Sequence, residues 1–289
     1  MKFNPITDDI YVLKTPFGEV TSAVTLLQTK EGLVLIDSGA DDQTVREEIL
    51  PALDELGAKK TGIRYLLCTH THGDHVGGHH LLRQLYPKMR IVATQKQAVK
   101  LADPLAYNIR IRSVYPKYSA PPSYGLQGVA ADIVMQDGDR IAGLQAVPAA
   151  GHDSDCVCWL DEASGTLITG DSLQGSGTNT QGIALYTDLR VYRETLERVV
   201  SVGAERIVAG HDFRVSGEFA QGRASCAELV KRCYAVTEEY DRILRSLGKT
   251  DNVSAAKELI RRMGGKMPQY LFLALYTVDA HFQYADSEK

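Results

Sequence analysis

The feature that most limits how this chain can fold is the stretch LLCTHTHGDHVGG, residues 66–78. An apolar run stops abruptly at His70, His72, Asp74 and His75, four titratable groups within six residues. Groups this dense cannot enter a hydrophobic core without partners. They belong in a loop at the end of a buried strand, where functional side chains collect. Residues 63–68 read as that strand and 74–86 as the helix that follows. In an extended segment His70 and His72 project to the same side. Gly73 permits a sharp turn, after which Asp74 and His75 can face back from the first helical turn. Gly77-Gly78 allows close backbone packing behind them. Imidazole and carboxylate are good ligands for Zn²⁺ and related divalent ions.

The rest of the chain supplies a frame of the same kind. Residues 10–14, 23–28 and 32–36 read as strands, 41–56 as a helix with Val45, Ile49, Leu53 and Leu56 on one face, and 90–94 as a strand. This alternation predicts layered α/β packing. Further strands are expected at 133–135, 144–148, 156–160, 166–169 and 206–209, with a helix over 189–202. Residues 103–128, rich in Pro and Tyr, break the pattern and read as either a lid or a packed surface loop. From about Glu218 the chain becomes helical, over 224–247, 253–263 and 268–284. The tail, with Tyr270, Leu271, Leu273, Leu275 and Tyr276, either packs within the molecule or offers a homodimer surface; internal packing is the default. Cys226 and Cys233 lie seven apart on one helical face and read as core residues, as does Cys68.

Three more polar residues stand at strand ends. His152 ends LQAVPAAGH, Asp171 ends TLITGD and His211 ends RIVAGH, each after a strand and a glycine. Together with the HxHxDH run, this set resembles the metallo-β-lactamase superfamily of metal-dependent hydrolases, over roughly residues 8–215. The resemblance implies a four-layer αββα sandwich, with residues 1–217 as the catalytic domain and 218–289 as a helical extension packed on it. It implies two divalent metal ions, zinc first, with manganese or iron as alternatives. His70, His72 and His152 would hold one ion, Asp74, His75 and His211 the other, and Asp171 would bridge them. A hydroxide between ions about 4 Å apart would be the nucleophile, with Asp74 orienting it or accepting its proton. Asp37, in VLIDSGA, would hydrogen-bond and orient a ligand.

Asp171 departs from the pattern of exported β-lactamases and favours the branch resembling glyoxalase II thioesterases and lactonases. Tyr186, in ALYTD, is the expected donor to a developing oxyanion. Arg261, Arg262 and Lys266 could form a basic substrate cluster, but read more readily as a solvated helix face. The expected reaction is hydrolysis of a small carboxylic ester, thioester or lactone. The alternatives are a phosphodiesterase, a β-lactamase-like activity and a non-catalytic metal-binding module. A net charge of −4 gives no reason to expect nucleic acid as a partner. No run of about 18 apolar residues suits a membrane span. The opening MKFNPITDDIYVLKT lacks the apolar core of a signal peptide, and five cysteines are too few for a disulfide framework. Cytoplasm is the expected compartment. His79 and His80 read as helix-surface residues and His281 as a packing residue.

Overall fold

A computed structural model describes residues 2–58 and 62–287. Its strands sort into two sheets. The first runs in order β1 (Asn4–Pro5), β2 (Ile10–Phe17), β3 (Val20–Thr29), β4 (Gly32–Ile36), β5 (Ile63–Leu67), β6 (Arg90–Thr94) and β7 (Ile133–Met135). The second contains β8 (Arg140–Ile141), β9 (Leu144–Pro148), β10 (Val157–Asp161), β11 (Thr166–Gly170), β12 (Arg206–Phe213) and β13 (Gly217–Gln221), with β13 at one edge and β8 at the other. On the first sheet's outer side, α1 (Asp42–Thr44) passes through a π-helical turn (Val45–Ile49) into α2 (Leu50–Glu55). Then come α3 (Gly73–Val76), α4 (His79–Leu85), α5 (Gln95–Ala102) and α6 (Pro104–Ser113). The second sheet is covered by α7 (Leu189–Val202), α8 (Arg223–Ser246), α9 (Asn252–Arg262) and α10 (Phe272–Ser287).

The layering follows from strands that are apolar on both faces, as central strands must be when both sides are covered. In β4, Leu33 and Leu35 pack with Val45, Ile49 and Leu53 beneath the first helices. Val34 and Ile36, pointing the other way, meet Ala146, Trp159 and Ile168 of the second sheet. In β10 and just before it, Cys156 and Cys158 join the core under α7 to α10, while Val157 and Trp159 face the first sheet. The result is the expected αββα sandwich. No helix of the described residues is long and apolar enough to cross a membrane.

The loops after β4 and β5 are laced together at one edge of the sandwich. Asp37 N–H donates to Leu67 O at 2.9 Å and Ser38 N–H to His75 O at 2.7 Å. The second sheet joins them: Val157 N–H bonds Thr69 O at 2.8 Å, and Trp159 Nε1 bonds Cys68 O at 2.9 Å. The histidine-rich loop is therefore held by both sheets.

Several elements differ from the sequence expectation. Residues 103–128 are not one loop. Their first half is α6, which Asp103 caps by accepting from Ala106 N–H at 2.9 Å, with a proline in the first turn. Proline there starts a helix and does not break one. The helix expected over 74–86 is two, split at Gly77-Gly78. Strand β13 was not foreseen; it pairs with β12, so the 217/218 division falls within a strand. Phe272, Leu275 and Val278 of α10 are buried, and α10 packs against α7 and α9, the internal alternative for the tail. A Cβ on Gly77 would collide with the Ala40 carbonyl. Gly77→Ala is expected to destabilise the fold by about 3 kcal/mol, read as a lowered denaturant midpoint; an unchanged midpoint would show that this contact yields freely.

Candidate metal centre

Seven side chains converge where the two sheets meet. His70, His72 and His152 offer ring nitrogens, and Asp74, His75 and His211 a carboxylate oxygen and two nitrogens, with the atoms of each trio within 4.8 Å of one another. Nε2 of His152 lies 3.1 Å from Nδ1 of His72, and Nε2 of His75 lies 3.3 Å from Nε2 of His211. Asp171 stands between the trios. Its Oδ2 is 3.6 Å from His152 Nε2 and 3.4 Å from His211 Nε2, and its Oδ1 is 3.3 Å from His75 Nε2.

The outer nitrogen of every ring is tied to a fixed acceptor. His75 Nδ1 bonds Asp37 Oδ2 at 2.8 Å, His152 Nδ1 bonds Leu185 O at 2.8 Å, and His211 Nδ1 bonds Thr21 O at 2.7 Å. His72 Nε2 faces Asp153 Oδ2 at 3.3 Å. His70 Nδ1 lies 3.1 Å from Thr69 Oγ1, whose own proton goes to Asp37 Oδ2 at 2.9 Å. Each outer N–H thus fixes a tautomer and leaves the inner lone pair for a cation. Asp37 thus accepts from His75 Nδ1 and also from Thr69 N–H, the latter at 2.7 Å.

Two inner atoms are buried with no hydrogen bond, Nε2 of His70 and Oδ1 of Asp171, the latter meeting only His75 Nε2 at 3.3 Å. Buried polar atoms are rarely left so. They point to a cation as the missing partner, and the imidazole and carboxylate donors suit a divalent ion. The electrostatics agree. Burial works against charging His75 and His211, yet the carboxylates of Asp171 and Asp74 hold His211 up to about 10 and His75 well above the usual imidazole range. Burial opposes ionisation of Asp171 and Asp74 too, but these imidazoles hold both below the ordinary carboxylate range. Burial, with neighbouring imidazoles, keeps His70 low and His152 down to about 3.

The tight fit depends on two glycines. A Cβ on Gly210 would collide with Asp171 Oδ1 and lie 2.9 Å from His75 Cε1; one on Gly170 would run into the Thr69 side chain.

Sequence reading missed the support behind His72. Asp153 accepts from Lys100 Nζ at 2.7 Å and from the Tyr107 hydroxyl. Lys100 also bonds Asp155 Oδ1 at 2.7 Å, and Asp155 Oδ2 takes the Thr71 hydroxyl at 2.7 Å. Asp153 and Asp155 stand immediately after His152 in GHDSD, the one available signal. Ser22 Oγ donates to Asp74 Oδ2 at 3.1 Å.

Tyr186 requires a correction. It is fully buried, stacked on Tyr192 at 4.5 Å between ring centroids, and its hydroxyl pairs with His281 Nε2 at 2.7 Å. It is no lining residue of the cavity over the metal centre, where Tyr107 and Tyr276 stand instead. His79 is corrected as well: it is buried, with Nδ1 2.7 Å from Ser38 Oγ, because α4 turns that face inward. His80 is half-buried and outside the centre. Arg261 and Arg262 pair with Glu258, and Lys266 with Glu19, away from the cavity.

A two-sheet sandwich with seven converging His and Asp side chains able to hold metal is the arrangement of a class of metal-dependent hydrolases. The chain belongs to the metallo-β-lactamase superfamily, whose profile matches residues 17–211. It is 27% identical to YobT of Bacillus subtilis over 157 residues, covering 53% of this chain and 62% of that protein. It is 24% identical to an atrochrysone carboxyl ACP thioesterase of Aspergillus fumigatus over 246 residues, 84% of this chain and 68% of the relative. The chain thus spans roughly two thirds of the length of these relatives. A metallo-β-lactamase family protein from Thermus thermophilus superposes with a TM-score of 0.74 over 98% of this chain and 95% of its own, at 21% identity. That likeness carries the fold alone.

Two predictions follow from the centre's hydrogen bonds and charges. His211, held up to about 10, is protonated at pH 7 without a cation and must lose that proton to ligate one. Adding Zn²⁺ to metal-free protein should therefore release protons, and affinity should fall as pH falls; binding at pH 7 without proton release would contradict this. Tyr186→Phe should cost about 1–3 kcal/mol of unfolding free energy while leaving kcat within about threefold, under 1 kcal/mol of barrier. A much larger loss of kcat would return Tyr186 to the chemistry.

Proposed function

We propose that this chain is a binuclear metal-dependent hydrolase acting on a carboxylic ester, thioester or lactone. The observation that carries the reading is the placement of Asp171, within 3.6 Å of His152 in one trio and 3.4 Å of His211 in the other. A carboxylate so placed can join two cations. His70, His72 and His152 would hold one ion and Asp74, His75 and His211 the second, with zinc the best match to the donors. When bound, two such ions supply Lewis-acid polarisation of a carbonyl and water of lowered pKa.

The chain's own residues set direction and proton traffic. His70 and His75 are wholly buried, whereas His72 and Asp74 are half-buried and line the cavity with His152, Asp171 and His211. Substrate therefore approaches from the His72–Asp74 side. Asp74, aimed by Ser22, is the residue to orient the attacking water and take its proton. The cavity is about 450 Å³, with Phe17, Val20, Ile111, Leu126, Phe272 and Leu273 in its walls. Those walls favour an acyl chain, and the thioesterase relative supports the same class. The five cysteines are free and buried, which agrees with a reducing compartment such as the cytoplasm.

The test is elemental analysis of the purified protein alongside a panel of esters, thioesters, lactones, β-lactams and bis-p-nitrophenyl phosphate. The expected result is two ions per chain and turnover of an acyl substrate. Asp171→Ala should lower that turnover about a thousandfold or more, some 4 kcal/mol of barrier. Turnover of the phosphodiester alone, or of no substrate by metal-loaded protein, would defeat the proposal.

A further inference from the structure

The cavity over the metal centre has two unlike ends. One is the ligand cluster, where its acidic residues Asp74, Asp153 and Asp171 are engaged. The other lies further along α6, where Arg112 enters the lining beside Phe272; Arg110 stands nearer, beside Tyr107. The helix begins near the metal end, with the Tyr107 hydroxyl 3.3 Å from His72 Nε2. Arg110 and Arg112 lie three and five residues further on, about 5 and 8 Å along the helix axis. The Arg110 guanidinium stands 5.5 Å from the Tyr107 ring centre, and that of Arg112 5.4 Å from Phe272.

Neither guanidinium has a carboxylate partner among the described residues, but Arg110 is exposed to water and only Arg112 is withdrawn from it. Arg112 is half-buried; its Nη1 reaches only the Asn108 carbonyl at 3.3 Å, and its Nε has no partner. A guanidinium withdrawn from water without an anion is unfavourable. Arg193 and Arg83 meet that demand with Asp241 and Asp132. Arg206 and Arg214 also leave Nε unpartnered, but neither lines this cavity.

We propose that Arg110 and Arg112 bind an anionic group, a carboxylate or phosphate, at the end of the substrate remote from the scissile carbonyl. An apolar chain lies between the two ends. The inference rests on the acyl-hydrolase reading and narrows it. A guanidinium fork suits either anion, and binding energy from a remote group raises kcat/KM when it places the reacting end.

The test compares mono-p-nitrophenyl adipate with its neutral methyl ester and with p-nitrophenyl 6-phosphonooxyhexanoate, on metal-loaded protein. At least one anionic substrate should exceed the neutral one by about tenfold or more in kcat/KM; the larger value identifies the anion. Arg110→Met with Arg112→Met keeps the apolar stems and should bring that ratio close to one, with thermal melting confirming the fold. A second arm measures binding of 6-phenoxyhexanoate, 6-phenoxyhexyl phosphate and 6-phenoxyhexan-1-ol by calorimetry, so it needs no turnover. An anion preference lost in the double variant supports the proposal. No preference, or one that survives in the variant because the metals take the acid, overturns it. If none of the esters is hydrolysed, the acyl reading fails, and the calorimetry still decides the arginines.

Discussion

Carboxylates buried among imidazoles must be neutralised from nearby, and the rest of the structure serves that requirement. Asp37 and Asp171 are buried and Asp74 is half-buried, all within one cluster of rings. Removing such charges from water costs several kcal/mol each unless they are compensated. The imidazoles of His75 and His211 offset these charges, and the acidic neighbours in turn push the pKa of both rings upward. Burial and neighbouring rings keep His70 and His152 neutral, ready to ligate. The same arrangement that retains protons suits cations in their place.

Holding it requires backbone that few sequences can supply. Asp37 sits at φ 64°, a left-handed conformation unusual outside glycine. There its carboxylate accepts from Thr69 N–H, Thr69 Oγ1 and His75 Nδ1 together. Such conformations survive where surrounding contacts over-determine them. The lacing of the loops after β4 and β5, with both sheets attached to the second, is that support.

The seven converging side chains were legible because they are rare residues at recurring places, several of them after a strand and a glycine. The central strands were legible for a related reason: burial on both faces leaves short, unbroken apolar runs such as Gly32–Ile36. What stayed hidden depends on partners distant in sequence. The residues of β13 show little apolar patterning, because an edge strand exposes one side, and Glu218 and Phe219 are not buried. The Lys100–Asp153–Tyr107 cluster joins α5, the GHDSD loop and α6, and only the folded chain brings them together. Tyr186 was expected from its place after Asp171 and the likeness to lactonases; its neighbours Leu185 and Thr187 do line the cavity, but its own side chain turns into the helical core.

That turn gives the C-terminal helices a part in the centre. Thr277 of α10 donates to the Ala184 carbonyl at 2.7 Å and accepts from Tyr186 N–H at 3.2 Å. His281 takes the Tyr186 hydroxyl and is itself held by Asp241 of α8 at 2.6 Å. Between these clamps lies Leu185, whose carbonyl receives the outer N–H of His152. Gln174 Oε1 anchors the Leu185 N–H at 3.1 Å. The ring orientation of His152 on the sandwich is thus set through a segment fastened by α8 and α10. The same α10 contributes Phe272, Leu273 and Tyr276 to the cavity wall. The helical extension is in this sense part of the site: it helps fix His152 from behind and shapes the space in front of it.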